Sequence, residues 1–487
     1  MTRWVSLGLR ALTAIGFAGT FAITGCGGDD SGSTQAGAGA CPPDRTIAGA
    51  CAGVDSQPLC GGAVCTSGVA CAKVIEVTND AELAAATGSS AAGDCIALHP
   101  GSYGDAVLPG GVSLLGRAAS AVRVHRVEVG AGSGSMLRGV TVDGGGIVLQ
   151  DGARETRVDS VRVVASASDG IEVRTDASAH VRGSEISGSS RYGVSAIGAE
   201  GVTLEASLVQ GSRGPGIWAE CTAGCACVKP ITLDLSQTIV RDSKRVGVSL
   251  IGARGSFTGV EIAENTVGDN FEASGGLVAS KCSDVTARGL RIADNSAFGM
   301  LLDDSGGTIG AAGDDQGVQI ERNLIGLWMQ GIQKSAQSPV KVENAHLDGN
   351  SGVGVGFGGG SKGIIIYGCE VKSTALMTLP VLVHGVSAGS EDVGDGLSWL
   401  AGSAAQIDRV TLAGNGRESV LIDGEVAMGS SIANLTLSGG DEAKGVVQQS
   451  FPSGGVAPTV GAGAPALQQS QSELFSVPKA PEVPSGG

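Results

Sequence analysis

The sequence contains few aromatic and few basic residues. Phe, Trp and Tyr supply 8, 4 and 3 of its 487 residues, and 32 Lys and Arg stand against 48 Asp and Glu, giving a formal net charge of -16. A surface of this charge repels phosphate backbones, which argues against nucleic-acid binding. The shortage of Lys and Arg also argues against a basic helix on a membrane surface. The five histidines show no spacing typical of a metal site or a catalytic triad.

Glycine and small aliphatic residues are abundant instead. Glycine occurs 82 times and hydrophobic residues make up 42% of the chain, enough to bury a sizeable core, which argues against global disorder. The glycines lack the strict period of collagen, and this favours a β architecture with many turns. The length would suit about three domains, but a single array of repeats also accounts for it.

The N-terminus has the features of an export signal. Arg3 and Arg10 flank the start of an apolar run, residues 11–23, which is shorter than the ~20 residues that a membrane-spanning helix needs. The run ends in residues 23–26, Ile-Thr-Gly-Cys, and this sequence resembles the lipobox of bacterial lipoproteins. The alternative is an ordinary secretory signal that happens to end in cysteine.

The lipoprotein resemblance implies removal of residues 1–25 and acylation of Cys26. The protein would then be exported and lipid-anchored in the bacterial cell envelope, with the membrane as its partner through the lipid on Cys26. Gly27, rather than Asp, follows the cysteine, which implies sorting to the outer membrane. Residues 26–40 are rich in Gly, Ser and Ala and are predicted to form a flexible tether.

Export to an oxidising compartment favours disulfide bonds. Residues 41–72 are cysteine-rich and poor in large apolar residues, so we expect a small segment stabilised by disulfides. A loop disulfide is also expected, in which one of Cys221, Cys225 and Cys227 reaches Cys282, while Cys369 stays a free thiol. A zinc site is the alternative in both regions, but neither contains a histidine ligand. The disulfide candidates are Cys41, Cys51, Cys60, Cys65, Cys71, Cys95, Cys221, Cys225, Cys227 and Cys282.

A glycine followed by an aliphatic residue recurs through the middle of the chain at intervals of 21 to 32 residues. A second short alternating run precedes most instances, and Ser or Asn closes it, as at Asn265 and Asn295. This pattern predicts a parallel β-solenoid, in which inward aliphatic residues stack and corner Asn residues bond to the next coil. The marker glycines are Gly146, Gly170, Gly193, Gly216, Gly247, Gly276, Gly299, Gly331 and Gly352.

The first coils resemble the right-handed parallel β-helix superfamily that includes pectate lyases and polygalacturonases. The resemblance is carried by residues 74–77 (VIEV), 99–103 (HPGSY) and 108–116 (LPGGVSLLG). It implies an all-β, single-stranded right-handed parallel β-helix of about 10–13 coils over residues 73–447, with a short capping helix near residues 79–86. Residues 448–487 are low in complexity and are predicted to be a disordered tail.

Residues aligned on the marker glycines should point outward from one sheet. Glu172, Trp218 and Glu220 are the candidate binding residues there, because an exposed tryptophan between carboxylates could stack on a sugar ring. The alternative for Trp218 is packing beneath a turn loop.

The densest acidic cluster supplies weak candidates for catalysis and for metal binding. Lys281 could act as a base beside Asp303 and Asp304, as the family resemblance implies for a lyase. Asp303, Asp304, Asp314 and Asp315 could coordinate Ca²⁺, and no other cofactor is expected. The alternative is a solvated acidic turn.

Two classes of function remain open. The favoured one is a lipid-anchored, non-catalytic envelope scaffold for adhesion or for binding a polysaccharide or an envelope protein. The alternative is a polysaccharide lyase or glycoside hydrolase acting on an acidic polysaccharide. The sequence shows no complete catalytic constellation, and fold alone does not imply function.

Overall fold

The computed structural model describes residues 69–483, except 267–274, 312–316, 333–337, 384–385, 442–443 and 481–482. The export signal, Cys26, the tether and Cys41, Cys51, Cys60 and Cys65 lie outside the described residues, as do Asp314 and Asp315. Within the described part, no helix is long and apolar enough to cross a membrane.

The described chain winds into a parallel β-solenoid, as predicted. Each turn of the coil, or rung, contributes one strand to each of three faces, and strands of successive rungs pair in parallel. Face 1 is one sheet of 16 strands. Its strands are Val74–Val77, Cys95–Leu98, Ser113–Gly116, Met136–Arg138, Thr156–Asp159, Ser178–Arg182, Gly201–Glu205, Thr232–Ser236, Arg254–Thr258, Asp284–Arg288, Gly306–Ile309, Val340–Glu343, Ile364–Tyr367, Ala405–Asp408, Ser431–Ala433 and Thr459–Val460.

Faces 2 and 3 form one hydrogen-bonded sheet of 27 strands, because the long strands Gly101–Leu108 and Val122–Val129 span both faces in the first rungs. Face 2 continues with Thr141–Asp143, Arg162–Val164, Glu185–Ser187, Leu208–Gln210, Ile239–Arg241, Glu261–Ala263, Arg291–Ala293, Gln319–Glu321, His346–Asp348, Glu370–Lys372, Thr411–Ala413 and Thr436–Ser438. Face 3 continues with Ile147–Leu149, Ile171–Val173, Val194–Ile197, Ile217–Glu220, Val246–Ile251, Gly275–Ser280, Phe298–Asp303, Ile325–Gln330, Val353–Gly358, Asp395–Leu400, Val420–Asp423, Val446–Gln449 and Leu467–Gln469.

Two small sheets lie outside the coil. Gly132–Ser133 pairs with Ala153–Arg154 in parallel. Met377–Val383 and Val386–Val393 form an antiparallel hairpin, whose first strand also pairs with Val477–Pro478. This hairpin covers an apolar cluster on the outer side of face 3 that includes Phe298, Leu301 and Trp328.

A short helix caps the first rung. It runs over Asp80–Ser89, with the Asn79 side chain accepting a hydrogen bond from the Glu82 backbone N–H. The sequence predicted a helix over residues 79–86, so the observed helix begins one residue later and ends three residues later. Leu83 and Ala86 are buried in the continuous core, so the helix shields inward aliphatic residues that would otherwise meet water. A 3₁₀ turn, Gly224–Ala226, lies in the loop after strand Ile217–Glu220.

Steric crowding at the turn into face 3 explains the recurring glycine. A Cβ added to Gly170 would lie 2.4 Å from Ile186 Cγ2, and one added to Gly193 would lie 2.4 Å from Val209 Cγ1. An aliphatic side chain inside the coil occupies the space that any larger residue would need. The backbone can pass this corner only as glycine, which gives the sequence its period.

An asparagine ladder forms at the turn between faces 2 and 3, as predicted. Asn265, Asn295, Asn323 and Asn350 are buried one above another. Each of the first three donates from Nδ2 or backbone N–H to the Oδ1 of the next, at 2.8 to 3.2 Å. Polar groups that face the core are thus satisfied by the neighbouring rung.

The predicted number of coils and the predicted tail were both wrong. Face 1 has 16 strands rather than 10–13, because the first and last rungs lack the glycine–aliphatic marker. Residues 448–487 are not a disordered tail over their described part: Thr459–Val460 pairs with residues 431–432, and Leu467–Gln469 with residues 446–448. These strands need few large apolar residues because the preceding rung supplies the surface on which they pair.

Candidate functional site

Trp218 does not lie on an exposed surface. Its side chain is on the outer side of face 3, but only 2% of it is exposed. The ring stacks on Tyr192 with centroids 5.5 Å apart, and its Nε1 donates to Glu220 Oε2 at 2.9 Å. Arg191 covers the Tyr192 ring at 4.7 Å. The predicted sugar-stacking role of Trp218 is therefore wrong, because a neighbouring turn covers the ring.

Glu172 belongs to a polar ladder on the same face. Arg174 Nε donates to Glu172 Oε1 at 2.7 Å, and Arg174 Nη1 donates to Gln150 Oε1 at 2.6 Å. Gln150 in turn donates to Glu128 Oε2 at 3.0 Å. These contacts raise the pKa of Arg174 by hydrogen bonding to Glu172. The ladder fixes planar carboxylate, amide and guanidinium groups on adjacent rungs.

Lys281, Asp303 and Asp304 lie at the turn that leaves face 3. Lys281 is exposed, and both Lys281 and Asp304 have left-handed backbone angles, with φ of 52° and 45°. A disulfide between Cys225 and Cys282 lies beside them, with Cys225 Sγ 3.8 Å from Asp304 Oδ2. The turn therefore places a lysine near two carboxylates, beside a disulfide.

The candidate residues do not meet around one ligand. Five strand pairings separate the rung of Glu172 from that of Asp303, which at ~4.8 Å per rung amounts to ~24 Å along the axis. Glu220 lies between them. Groups so far apart can line a surface but cannot act on one reacting bond.

One group of potential metal ligands occurs in the described part of the chain, formed by Cys225, Cys282 and Asp304. Two of its three ligand atoms are joined in a disulfide, so they offer no thiolate to a metal. Asp314 and Asp315 lie outside the described residues. Ca²⁺ binding by the acidic loop stays a prediction.

Among the described cysteines there are three disulfides: Cys71–Cys95, Cys221–Cys227 and Cys225–Cys282. The expected link between the loop cysteines and Cys282 is thus formed by Cys225. Cys369 is a free, buried thiol. Burial raises its pKa to about 11.

An arginine cluster on the outer side of face 1 was missed by the sequence analysis. Strand register aligns Asp159 with Arg138 on the rung before it and with Arg182 on the rung after it. Arg157 lies two residues from Asp159 on the same outward side and makes no ion pair with a described residue. Burial raises the pKa of Asp159, although the three arginines act in the opposite direction.

Hydroxyl groups continue this surface toward the C-terminus. Thr203, Asp234, Ser256, Thr286 and Thr308 follow one another on successive rungs of face 1. Burial raises the pKa of Asp234, while His180, two rungs earlier, acts to lower it. Along face 1, the arginine cluster is therefore followed by a row of hydroxyl and carboxyl groups.

Comparison with known families identifies the repeat. The family model described as "Right handed beta helix region" matches residues 127–271 and 227–371, which together span half of the chain. The chain belongs to the right-handed β-helix family.

Solved structures of similar fold include carbohydrate-active proteins. The β-helix is 15% identical to the catalytic unit of a thermostable GH87 alpha-1,3-glucanase from Streptomyces thermodiastaticus strain HF3-3, covering 82% of this chain and 67% of that one, with a TM-score of 0.46. It is 14% identical to the A-module of mannuronan C-5 epimerase AlgE6 from Azotobacter vinelandii, covering 83% and 94%, with a TM-score of 0.32. For the periplasmic alginate epimerase AlgG the identity is 10%, the coverage 81% and 83%, and the TM-score 0.36. No curated protein matches the sequence.

The sequence did contain a signal for the surface of face 1 of the β-helix. In the run Ala179-His180-Val181-Arg182, the two apolar residues are buried and the two polar ones are exposed. Reading the polar members of each such run in register would have brought Arg157 and Arg182 together. The glycine marker precedes the strands of face 3, so it predicts outward residues only on that face.

Proposed function

We propose that this β-helix is a non-catalytic, cell-envelope protein that binds an acidic polysaccharide along the outer side of face 1. The observation that carries the proposal is the arginine cluster, Arg138, Arg157 and Arg182, on three consecutive strands of a chain whose net charge is -16. Arginine forms charge-assisted, bidentate contacts with carboxylates. Asp159 lies among these arginines and Glu205 lies 3.7 Å from Arg182, so the three arginines leave a small local excess of positive charge, which favours an anionic ligand.

The shape of the surface supports an extended ligand. Arg138 and Arg182 are two rungs apart, ~10 Å along the axis at ~4.8 Å per rung. The Thr and Ser residues that follow Arg157 and His180 on the neighbouring row of face 1 offer hydroxyl groups to the hydroxyls of a sugar chain. A polymer lying parallel to the solenoid axis would contact both parts of this surface.

The carboxyl groups of face 1 support binding without cleavage. Asp159 and Asp234 are the two whose pKa burial raises, and three strand pairings separate them. That spacing corresponds to ~14 Å, whereas the carboxyl pair of a glycoside hydrolase is ~5–9.5 Å apart. These two groups are too distant to share one glycosidic bond.

Cell-envelope attachment is part of the proposal. The lipobox-like residues 23–26 support a lipid on Cys26, in the outer membrane. The acyl chains would hold the protein at the membrane, and residues 26–40 would let the solenoid reach a polymer.

Binding of the purified full-length chain to uronic-acid polymers tests the proposal, with a neutral glucan as the comparison polymer. The double variant R157Q/R182Q should weaken uronate binding at least ~10-fold, since each charge-assisted contact contributes ~1.5–3 kcal/mol. The matched control R213Q removes an exposed arginine at the turn between faces 2 and 3, away from face 1, and it should bind as the wild type does.

Two results would contradict the proposal. Equal binding of acidic and neutral polymers, or unchanged binding by R157Q/R182Q, would show that the arginine cluster does not recognise the polymer. Shortened or unsaturated uronate products, in arms with and without Ca²⁺, would establish the alternative function, a lyase or hydrolase.

A further inference from the structure

Three carboxyl groups are buried where the last rungs of face 3 meet the hairpin of residues 377–393. They belong to Asp395, Glu418 and Asp441, and Glu418, the most accessible of them, is only 8% exposed. Arg417 and Lys444 are the basic residues beside them. Buried charges of this kind are stable only when each is paired or neutralised.

Two of the three carboxylates have complete sets of partners. Asp395 accepts from Arg417 Nη2 at 2.7 Å, from Arg417 Nε at 2.8 Å and from Ser398 Oγ at 2.7 Å. Asp441 accepts from the backbone N–H of Asn415 at 2.9 Å and lies 3.5 Å from Lys444 Nζ. Both basic groups are thus already engaged by other carboxylates.

Glu418 has no such partner. Its Oε2 is buried without a hydrogen bond from any described residue. Burial raises its pKa to about 7, and the neighbouring charge of Asp395 adds to this effect, while Arg417 and Lys444 oppose it. The described residues supply no set of metal ligands at this place. A proton is therefore the group that completes the cluster.

Arg417 also contacts a segment close to the C-terminus. Arg417 Nη1 lies 3.5 Å from Ser476 Oγ and 3.4 Å from the backbone oxygen of Asp392 in the hairpin. Its guanidinium also lies 5.6 Å from the ring centroid of Phe475. Beyond these contacts, Val477 pairs with Leu382 of the hairpin. Residues 473–478 are called here the C-terminal strap. They are held by Arg417 and also by Gln449, whose Oε1 accepts from the backbone N–H groups of Leu474 at 3.0 Å and Phe475 at 2.7 Å.

We propose that the C-terminal strap and the hairpin form a latch that closes when Glu418 takes up a proton and loosens when Glu418 ionises. An ionised Glu418 would compete with Asp395 for the guanidinium of Arg417 and draw it away from Ser476 and Phe475. The proton leaves to solvent when Glu418 ionises, and water solvates the carboxylate once the strap has lifted. The strap then uncovers the apolar outer side of face 3.

The direction of the pH dependence follows from linkage. The closed form binds the Glu418 proton more tightly than an open form, in which the group would regain its ordinary pKa of 4.5. Closure is therefore favoured below neutral pH and is lost as the pH rises through about 7. Between pH 6 and 8.5 the opening equilibrium constant should rise ~10-fold, since each pKa unit corresponds to a factor of ten.

The other charged groups near the latch do not account for this response. Asp395 and Asp441 are ion-paired as described, and Asp392 accepts a hydrogen bond from Thr378 at 2.8 Å. On the strap and its continuation, Glu473 and Lys479 are the titratable residues. None of these carries a buried oxygen without a partner, which leaves Glu418 as the titrating group.

Hydrogen exchange of the full-length protein, followed by mass spectrometry and corrected for intrinsic rates, tests the latch. Wild-type peptides covering residues 473–480 and 377–393 should exchange ~10-fold faster at pH 8.5 than at pH 6. The E418Q variant, which keeps the shape but cannot ionise, should show the same low rate at both pH values. The control E425Q, on an exposed glutamate of the next turn, should behave as the wild type does.

Peptides from strands Thr156–Asp159 and Ser178–Arg182 report in the same samples whether each variant is folded. The proposal would be overturned if E418Q showed the same pH response as the wild type. It would also be overturned if the wild-type exchange rate were the same at pH 6 and pH 8.5. The wild-type measurement decides this even if E418Q fails to fold.

Discussion

Cys369 illustrates how much the surroundings of a single residue change its chemistry. The thiol is buried in the core of the coil and lies 3.4 Å from the carbonyl oxygens of Val342 and Tyr367. Burial disfavours the thiolate, which is the reactive form. Thr238 and Ser207 occupy the equivalent turn of earlier rungs. The Thr238 hydroxyl donates to the carbonyl of Leu204 on the rung before, and each hydroxyl donates to the carbonyl two residues earlier in its own rung.

We expect Cys369 to react about a hundredfold more slowly than an ordinary thiol. With the pKa raised from 9.0 to about 11, the thiolate fraction at pH 8 falls from ~10% to ~0.1%. Alkylation by iodoacetamide, followed by mass spectrometry of the peptide containing Cys369, measures this rate. The same peptide in urea serves as the control. Equal rates in the native and unfolded protein would show that the thiol is accessible.

Trp218 marks the limit of prediction for single residues. The glycine marker correctly placed it on the outer side of face 3. It could not show that Tyr192, 26 residues earlier in the chain, would stack on the ring, because that contact depends on the path of a turn in the previous rung. Outward direction follows from period-2 alternation, but exposure depends on what the neighbouring coils cover.

The asparagine ladder is the main polar element inside the coil. Asn295 is central to it: its Oδ1 accepts from Asn265, and its Nδ2 donates to Asn323 and to the backbone oxygen of Ala293. Because the site is buried, losing this side chain leaves donors on two rungs without acceptors.

Replacing Asn295 by alanine should lower the free energy of unfolding by ~2–4 kcal/mol, since buried polar groups left without partners cost ~1–3 kcal/mol each. Urea denaturation followed by circular dichroism measures the loss. The control T286A removes an exposed hydroxyl one strand earlier in the same coil and should change stability by less than ~0.5 kcal/mol. A loss in N295A no larger than in T286A would mean that water satisfies the ladder.

The predicted register was wrong for two of the nine marker glycines. The marker placed glycines at Gly331 and Gly352, whereas strand pairing aligns Leu327 with Val355, so the crowded positions are Gly326 and Gly354. Each of these two rungs contains a second glycine–aliphatic pair within a few residues, and the marker alone does not choose between the two pairs. For the same reason Trp328, which pairs with Leu301 on the outer side of face 3, was not recognised.

At the scale of the whole molecule, stability is shared between neighbouring rungs. A solenoid has few contacts beyond adjacent coils, so its ends and insertions decide where it opens first. Repetition made the architecture predictable from sequence, since aliphatic residues in register dictate a stacked core. The hairpin of residues 377–393 and the C-terminal strap were not predictable, because they pair outside the repeat and have no period of their own.

The two disulfides near the middle of the solenoid should differ in what they contribute. Cys225–Cys282 closes a loop of 57 residues and ties the turn after one rung to a turn two rungs later, whereas Cys221–Cys227 closes only 6 residues. Restricting the unfolded chain is worth ~4 kcal/mol for the longer loop and ~2 kcal/mol for the shorter one in the chain-entropy account. The larger effect should therefore belong to the bridge that spans rungs.

Serine double variants test this difference directly. C225S/C282S should lose about twice as much unfolding free energy in urea as C221S/C227S, which is the matched control because it removes two sulfurs from the same loop. Hydrogen exchange should locate the added opening of C225S/C282S in the strands between Ile217–Glu220 and Phe298–Asp303, since solenoid rungs are stabilised mainly by their neighbours. Equal losses in the two variants would mean that the longer bridge holds a loop against the coil without restraining the rungs between.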